Sequence, residues 1–529
     1  MSLVAALRWA AGRAYIGIRG SRSSSATMKD LRSRDPAENV SAFPAEPLSG
    51  ACPVTFPASA HPKTFAPWVI AAGTSTVFRA ALSFALVTPA QAWNADSMEV
   101  VPRKAESQTS RASVLPAGSA EYTASGVPPT IGVEEEFILV DSHTGAPHVR
   151  NAAVAAAGTA LGIDLQLELS QCQIETSTPV CARISDLDRE LRRARSLAAA
   201  AAARSGTRLL ATGVPVLGPL PRAITDTPRY RRMADGFGAL AEQVICGCHV
   251  HVCVPDRDTA VQVSNHLRPW LPALLPLTAN SPISAGTDTG YASWRHILWA
   301  RWPSAGPPPY FRSARDYDAA VATMLDCGSI LDPAMVYWDV RLSAHLPTIE
   351  IRISDVPATV HETVLLAVLV RALVATAVSA LDRGRLACPV GDDLLRAACW
   401  RAAHDGLTGH GIDPTSQHLV PAARLLGRLL AHVRTALEDT GDYACTRAAV
   451  AGVLAHGNGA VHQRRALHTG TLADVVRTVA ERTAETCPPE YDHWAAPDPA
   501  SHPADAPESP APAYERTVSP ATRKLSGDQ

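Results

Sequence analysis

The pattern of apolar and polar positions predicts helices alternating with short strands between residues 130 and 490. Residues 131–141 combine β-branched and aromatic side chains, and residues 348–355 alternate isoleucine with polar residues. Residues 185–204 are predicted to form a helix that opens on a capping box at Ser185–Asp188. The chain between these segments contains turns, so we expect a core of short strands packed with helices.

One apolar segment is long enough to raise the question of a membrane. Residues 364–381 are apolar for about the length of one membrane span. However, Arg371 lies in the middle of the segment and polar loops flank it. We therefore predict a buried core helix and no membrane partner.

Composition divides the chain into three parts. Residues 1–127 are rich in Ser, Ala and Pro, and we predict a low-complexity extension that is disordered or results from a mis-assigned start. Its first 26 residues carry four arginines and no acid, as transit peptides do. Residues 128–487 are predicted to form the working domain. Residues 488–529 are predicted to be a disordered Pro/Ala-rich tail, because they cannot bury enough apolar surface.

Charge and residue usage exclude several classes of protein. The net charge is −2, so the chain lacks the excess of basic residues that is typical of nucleic-acid-binding proteins. The 11 cysteines include no CxxC pair and favour free thiols in a reducing cytoplasm. None of the chain's lysines lies between residues 105 and 523. This absence excludes a P-loop NTPase and a pyridoxal enzyme, which both need a lysine.

Two acidic segments predict a cation site. Side chains alternate along a strand, so Glu134 and Glu136 share one face and Glu135 points away. Like charges so close together call for a cation, and hard divalent ions prefer oxygen ligands. Glu168 and Glu175 are candidates for the same cluster, but only if a turn intervenes between them. The alternative is a solvated strand face.

A third segment raises the possibility of zinc. Alternation puts His249, His251 and Cys253 on one strand face, which would suit a zinc-dependent hydrolase or a zinc-binding protein. Three ligands at this spacing span about 13 Å at ~3.3 Å per residue, too far for one ion. A site that uses two of them, or a polar face lining a cleft, remains open.

Arginines mark two further candidate segments. Glu350 and Arg352 share a strand face, and Arg341 follows an acid in the same pattern. They could form a site for anions or simply cross-strand ion pairs. Residues 280–295 form a Gly/Ser/Thr/Asp-rich loop that ends on Arg295 and could hold a carboxylate or phosphate. An ordinary surface loop is the alternative.

In order and spacing, these segments resemble the glutamate–cysteine ligase type 2, or carboxylate–amine ligase, family. The resemblance extends over about residues 130–485. The motifs that carry it are Gly-Val-Glu-Glu-Glu-Phe (132–137), Gln-Ile-Glu-Thr-Ser-Thr-Pro (173–179), Cys-His-Val-His-Val (248–252), Thr-Asp-Thr-Gly-Tyr-Ala-Ser-Trp-Arg (287–295) and Pro-Thr-Ile-Glu-Ile-Arg (347–352).

The resemblance implies an α+β fold like that of glutamine synthetase, with an antiparallel sheet curved into a funnel and helices outside. It implies an ATP-dependent ligase that joins the γ-carboxylate of glutamate to an amine such as cysteine through an acyl phosphate. We expect a cytoplasmic enzyme that acts on small-molecule amino-acid substrates and could form a homodimer. The cofactors would be ATP and Mg²⁺.

The resemblance also assigns roles to residues. His249 would lie near the nucleotide, Arg352 would meet phosphate, and Arg295 or Arg341 would meet the acidic substrate. The implied metal ligands are Glu134, Glu136, Glu168, Glu175 and Glu350. A non-catalytic relative is a further alternative, but all five glutamates are present, and a binding module has no need of so charged an interior.

Overall fold

The computed structural model of the protein describes residues 128–484. The predicted N-terminal extension (1–127) and tail (488–529) lie outside this range. The strands are, in chain order, β1 (Ile131–Asp141), β2 (Gln166–Leu167), β3 (Gln173–Ser177), β4 (Thr207–Leu210), β5 (Gly247–Cys253), β6 (Ile283–Ser284), β7 (Thr287–Asp288), β8 (Val340–Leu342), β9 (Thr348–Asp355), β10 (His410–Asp413) and β11 (His418–Pro421).

Helices occupy most of the remaining described chain. They are α1 (Asn151–Thr159), α2 (Ile184–Arg204), α3 (Pro228–Phe237), α4 (Arg257–Leu267), α5 (Leu271–Thr278), α6 (Trp294–Trp299), α7 (Ala314–Asp326), α8 (Val360–Asp382), α9 (Asp392–Asp405), α10 (Ala422–His432), α11 (Arg434–Asp439), α12 (Tyr443–His456), α13 (Gly459–Thr469) and α14 (Leu472–Ala484). Short 3-10 turns lie at Gly238–Glu242, Arg268–Trp270 and Pro333–Met335.

Seven strands form one sheet in the order β2-β3-β1-β5-β9-β8, with β4 also paired to β1. All of its pairings are antiparallel, and its edges do not close on each other. The strands β6 and β7 form one separate hairpin, and β10 and β11 form another. This architecture confirms the predicted α+β class with an antiparallel sheet.

Strand alternation gives the sheet one apolar and one polar face. Ile131 and Val133 of β1 pack into the main core together with Ile349, Ile351 and Ile353 of β9. Burying such side chains contributes about 1.5–3 kcal/mol each relative to exposure. The polar residues between them are therefore displayed on the opposite face, in the registers that the pairings impose.

The long helix α8 packs into the same core. It is the one helix within residues 128–484 that is long and apolar enough to cross a membrane, but 72% of its apolar window is buried inside the protein. Arg371 in its middle is buried and pairs with Asp442, with 2.6 Å between Nη2 and Oδ2. These contacts bear out the prediction of a buried core helix.

The predicted start of α2 was wrong in detail. The helix begins at Ile184, so Ser185 lies inside its first turn and caps nothing. Asp186 instead accepts hydrogen bonds from Arg183 and Arg189, at 3.1 and 2.9 Å. The predicted end at Arg204 is confirmed.

Cross-strand register brings the polar candidates into three neighbouring rows of the sheet. Glu175 of β3 lies opposite Glu136, and Glu134 lies opposite His249. Continuing across the sheet, His251 of β5 faces Glu350 of β9, and Glu350 in turn faces Arg341 of β8. Residues that are more than 200 positions apart in the chain are thus held side by side by the ladder of hydrogen bonds.

Candidate active site

A cavity of about 220 Å³ opens on the polar face of the sheet. Eight of the nine predicted site residues line it, and the ninth, Glu350, is hydrogen-bonded to two of these. The eight are Glu134, Glu136, Glu168, Glu175, His249, Arg295, Arg341 and Arg352.

Glu134 is the carboxylate on which the two histidines converge. Its Oε2 lies 3.2 Å from His249 Nδ1, and its Oε1 lies 3.3 Å from His251 Nε2. Burial alone would raise the pKa of Glu134, but hydrogen bonds from both imidazoles hold that pKa well below its usual range. Glu134 is therefore a carboxylate at neutral pH and a permanent negative charge in the cavity.

The neighbouring glutamates experience the opposite effect. Burial, reinforced by the charge of Glu136, raises the pKa of Glu168 to about 8. Burial and the charges of Glu134, Glu168 and Glu136 also raise the pKa of Glu175 well above its usual value. The attraction of Arg352 is too weak to offset these effects. This corner of the cavity therefore holds more carboxyl groups than its positive charges can stabilise.

The donor atoms fit divalent cations. Three groups have ligand atoms that lie within 4.8 Å of one another: Glu136, Glu168 and Glu175; Glu134, Glu175 and His249; Glu134, His251 and Glu350. Carboxylate oxygens dominate each group, as hard cations such as Mg²⁺ require. A bound cation would also remove the repulsion that raises the pKa values of Glu168 and Glu175.

The turn that Glu168 and Glu175 require in order to share a cluster is present. The chain leaves β2 at Leu167, turns through Gln171 and Cys172, and returns as β3 from Gln173. The turn allows both carboxyl groups to reach the same cluster although they are seven residues apart.

Arginines form the opposite wall. Arg341 holds Glu350 in a fork, with 2.7 Å from Nε to Oε2 and 3.1 Å from Nη2 to Oε1. Arg352 donates to the same carboxylate, and its Nη1 also lies 3.3 Å from His249 Nδ1. Burial opposes the charge of Glu350, but Arg352 and Arg341 hold its pKa well below the usual range. The predicted cross-strand ion pair therefore exists within the cavity wall.

The Gly/Ser-rich loop is anchored and is not an ordinary surface loop. It forms the hairpin of β6 and β7 and then enters α6, where Arg295 is almost fully buried. Arg295 lines the cavity and donates from Nη2 to the carbonyl of Arg352 at 3.4 Å. The loop thus delivers a guanidinium group to the site.

The zinc hypothesis receives no support from the geometry. His249 and His251 fall in different groups of candidate ligands, and Cys253 belongs to none of those found among residues 128–484. The spacing argument against one ion held by all three side chains therefore agrees with the structure.

Several cavity residues were not predicted from the sequence. Trp299 lies one helical turn after Arg295, and the centre of its ring is 5.8 Å from Cζ of both Arg295 and Arg352. Its i+4 spacing from Arg295 was an available signal. Arg229, Tyr230 and Gln243 also line the cavity. No feature of their local sequence distinguishes them from ordinary surface residues.

Comparison with known sequences places the chain in a family. The sequence model described as Glutamate-cysteine ligase family 2 matches residues 130–481. A protein named "Putative glutamate--cysteine ligase 2-1" from Nocardia farcinica is 57% identical over 366 residues, which are 68% of this chain and 95% of the relative. A second protein, named "Putative glutamate--cysteine ligase 2-3" and from Mycolicibacterium smegmatis, is 54% identical over 358 residues, which are 67% of this chain and 98% of the relative.

Solved structures share the fold. A glutamate–cysteine ligase from Francisella tularensis, in complex with AMP, matches 70% of this chain and 92% of its own with a TM-score of 0.52 and 12% identity. A bifunctional glutathione synthetase from Pasteurella multocida matches 68% of this chain with a TM-score of 0.51 and 14% identity. The match covers 53% of that synthetase, so this chain spans about half its length.

Fold and family together define an enzyme of the ATP-dependent carboxylate–amine ligase class. The chain belongs to glutamate–cysteine ligase family 2, as its motifs predicted.

Proposed function

We propose that the protein joins the γ-carboxylate of glutamate to the amino group of cysteine, with release of ADP and phosphate through an acyl phosphate. One observation carries the proposal: a corner crowded with carboxyl groups faces a wall of arginines across one cavity. Such a cavity suits a polyanionic nucleotide with its cations, and it needs no lysine.

The acidic corner would hold Mg²⁺. The ligands would be Glu134, Glu136, Glu168 and Glu175, with Glu350 and the histidines beside them. Bound Mg²⁺ would neutralise phosphate charge and orient the nucleotide.

The side chains would position two reacting groups. In the first step, an oxygen of the substrate carboxylate attacks the γ-phosphorus of ATP, the bond to the bridging oxygen breaks, and ADP leaves. Arg352 would contact the transferred phosphoryl group, because its Nε is buried and has no partner in the structure. Its hydrogen bond to Glu350 fixes the guanidinium plane, so little reorganisation is needed during transfer.

The second step consumes the acyl phosphate. An ammonium substrate first loses one proton to solvent. The amine nitrogen then bonds to the acyl carbon, the bond between that carbon and the phosphate oxygen breaks, and the second proton lost by nitrogen leaves with phosphate. Burial and Arg352 lower the pKa of His249, so its imidazole is neutral at pH 7 and adds no positive charge to repel an ammonium substrate.

An ADP-release screen of amino-acid pairs, with mass spectrometry of the products, tests the proposal. We expect ADP formation that requires Mg²⁺, glutamate and cysteine together, and a product equal to their summed mass less one water. ADP release without a joined product would identify an ATPase and contradict the proposal. Tightly bound zinc with no Mg²⁺ dependence would favour the hydrolase alternative.

We further propose that residues 128–487 form the whole catalytic domain and that the enzyme works in the cytoplasm, as a monomer or homodimer. All candidate site residues lie between Glu134 and Arg352. Deletion of residues 1–97 should therefore leave the rate of ADP release and the melting temperature unchanged. Loss of both would show that the N-terminal segment is part of the catalytic unit.

A further inference from the structure

Asp355, the last residue of β9, is hydrogen-bonded to both ends of the Gly/Ser-rich loop. Asp355 is completely buried. Its Oδ2 accepts hydrogen bonds from the backbone N–H of Asn280 at 2.8 Å and from Ser281 Oγ at 2.7 Å. Its Oδ1 accepts from Ser293 Oγ at 2.7 Å. The carboxylate thus closes the loop at the strand that carries Arg352.

The same two serines fix the start of α6. Ser281 Oγ accepts from the backbone N–H of Arg295 at 3.0 Å, and Ser293 Oγ accepts from that of His296 at 3.2 Å. A chain of hydrogen bonds therefore runs from Asp355 through each serine to the backbone of Arg295 and its neighbour. Each serine hydroxyl donates to Asp355 and accepts from a backbone N–H of α6. This chain of hydrogen bonds fixes the backbone position from which the side chain of Arg295 extends.

The guanidinium of Arg295 lies close to Gly247, the first residue of β5. A Cβ atom at Gly247 would come within 2.8 Å of Arg295 Cζ, so only glycine leaves room for the group in this position. The ring centre of Trp299 also lies 5.8 Å from Arg295 Cζ. Three contacts thus restrict the guanidinium of Arg295: the hydrogen bond at its backbone N–H, the close approach of Gly247 and the ring of Trp299.

Two donors of this fixed group have no partner. Arg295 Nε and Nη1 are buried without a hydrogen bond. Arg341 differs, because its Nε and Nη2 bind Glu350 and its Nη1 donates to the carbonyls of Ala334 and Val336. Nε and Nη1 lie on different edges of the guanidinium, and a substrate carboxylate can accept a charge-assisted hydrogen bond from either of them. The desolvation cost of unmet donors also favours occupancy by an anion.

We propose that Asp355 is the positioning residue that holds Arg295 ready for a carboxylate of the amino-acid substrate, the role that the resemblance to the family implies for Arg295 or Arg341. The proposal rests on the proposed ligase function, and the unused donors of Arg295 favour it over Arg341 for this role. Arg352, whose Nη1 contacts His249 and Glu350 of the acid clusters, lies on the phosphate side. The side chain of Arg295 donates one hydrogen bond, to the carbonyl of Arg352, and none to those clusters.

The competing interpretation is that Arg295 only balances buried acids. Asp339 is buried with both oxygens unpartnered, and Arg295 and Arg352 are the charges that act on it. Asp355 also feels the charge of Arg295. If charge balance were the whole role, substitution of Arg295 would lower the melting temperature and leave substrate binding unaffected.

Steady-state ADP release decides the matter, together with calorimetric titration of L-glutamate into the full chain with Mg²⁺ and a non-hydrolysable ATP analogue. Arg295→Lys should raise the KM and Kd for glutamate by about 10- to 100-fold, as loss of charge-assisted hydrogen bonds implies, with the KM for ATP within about twofold. Asp355→Asn should raise the glutamate KM by about tenfold. The double variant should be no worse than Arg295→Lys, because Asp355 acts through Arg295.

Gly247→Ala displaces the guanidinium of Arg295 while the residues Arg295 and Asp355 themselves stay unchanged. We expect it to raise the glutamate KM as Asp355→Asn does. Gly132→Ala is the matched control, because a Cβ there meets nothing closer than 4.0 Å. Its kinetics should equal those of the wild type.

Three outcomes would overturn the inference while the ligase function stands: additive effects in the double variant, a raised KM for ATP alone, or a lower melting temperature with unchanged glutamate binding. Wild-type protein that neither binds glutamate nor releases ADP with any amino-acid pair would overturn the proposed function and the inference with it.

Discussion

Three consecutive glutamates on β1 have opposite surroundings, and the difference separates structural charge from functional charge. Glu135 points into the core and is held by Arg195, with 2.9 Å from Nε to Oε2 and 2.6 Å from Nη2 to Oε1. Thr363 donates to the same carboxylate at 2.6 Å. Glu134 and Glu136, on the other face, line a cavity with Glu168 and Glu175, whose pKa values remain raised.

The arginines divide in the same way. Besides Glu135, Arg195 binds the carbonyls of Ala358 and Pro357, so each of its nitrogen atoms has a partner. Arg295 and Arg352 line the cavity and keep unpartnered nitrogen atoms in buried positions. A buried charge whose hydrogen bonds are all made has a structural role, whereas one with unused donors at a cavity is available to a ligand.

The largest effect should come from Glu136→Gln. The change keeps the volume of the side chain but removes one negative charge from the cluster of Glu136, Glu168 and Glu175. We expect the rate of ADP release to fall by more than about 100-fold, because a direct ligand should matter at least as much as an outer-shell partner. The melting temperature should stay within a few degrees of the wild type. Near wild-type turnover would remove Glu136 from the site.

The matched variant Glu135→Gln should lower the stability of the fold and leave the active site intact. Glu135→Gln leaves Arg195 as a buried charge without its counterion, which costs about 3–5 kcal/mol of folding free energy. Denaturant unfolding measures this loss. Any protein that remains folded should retain its KM values, because Glu135 does not line the cavity. If Glu135→Gln were as stable as the wild type but inactive, the contrast between the two faces of β1 would be wrong.

Arg352→Lys should have a smaller effect, confined to catalysis. An ammonium group can replace one bond to Glu350 but cannot present a planar fork to phosphate oxygens. We expect kcat to fall by about tenfold for each ~1.4 kcal/mol of transition-state stabilisation lost, with little change in the KM for ATP. Steady-state kinetics beside a melting curve are sufficient. Unchanged kcat with a lower melting temperature would place Arg352 with Arg195 as a structural arginine.

The face on which each acid lies could be predicted from the sequence because strands have a period of two residues. That rule placed Glu134 and Glu136 together and Glu135 apart. The same rule showed that Glu168 and Glu175 could share a cluster only if the chain turned between them. The order of the motifs also indicated the family, and with it the antiparallel fold.

Partners across the sheet could not be predicted in this way. The bond between Glu135 and Arg195 depends on how α2 packs on β1, which no local pattern encodes. One signal was present: Arg195 follows Leu191 by four residues on the buried side of α2, an unusual place for an unpaired charge. The role of Asp355 was equally hidden, because its partners Ser281 and Ser293 are 74 and 62 residues away.

The smallest expected effect is a pH dependence of stability, which comes from the cavity acids whose pKa values are raised. Glu168 has a pKa of about 8 in the folded, metal-free protein, above the ordinary value of 4.5. Between these two values the folded state holds a proton that the unfolded chain has lost. Its contribution to stability is therefore present at low pH and is lost as pH rises toward 8. Asp339, whose pKa burial raises to about 7, acts with the same sign.

Magnesium should reverse this loss, because a cation competes with the proton for the same carboxylate oxygens. We expect Mg²⁺ to raise the melting temperature by a few degrees at pH 8 and by less at pH 5.5, as tighter binding to the folded state requires. Glu168→Gln cannot titrate and is the control, so its response to Mg²⁺ should differ less between the two pH values. Asp339 titrates in both proteins and cancels in this comparison. An equal shift at both pH values in the wild type would mean that Mg²⁺ does not bind at the carboxylates whose pKa values are raised.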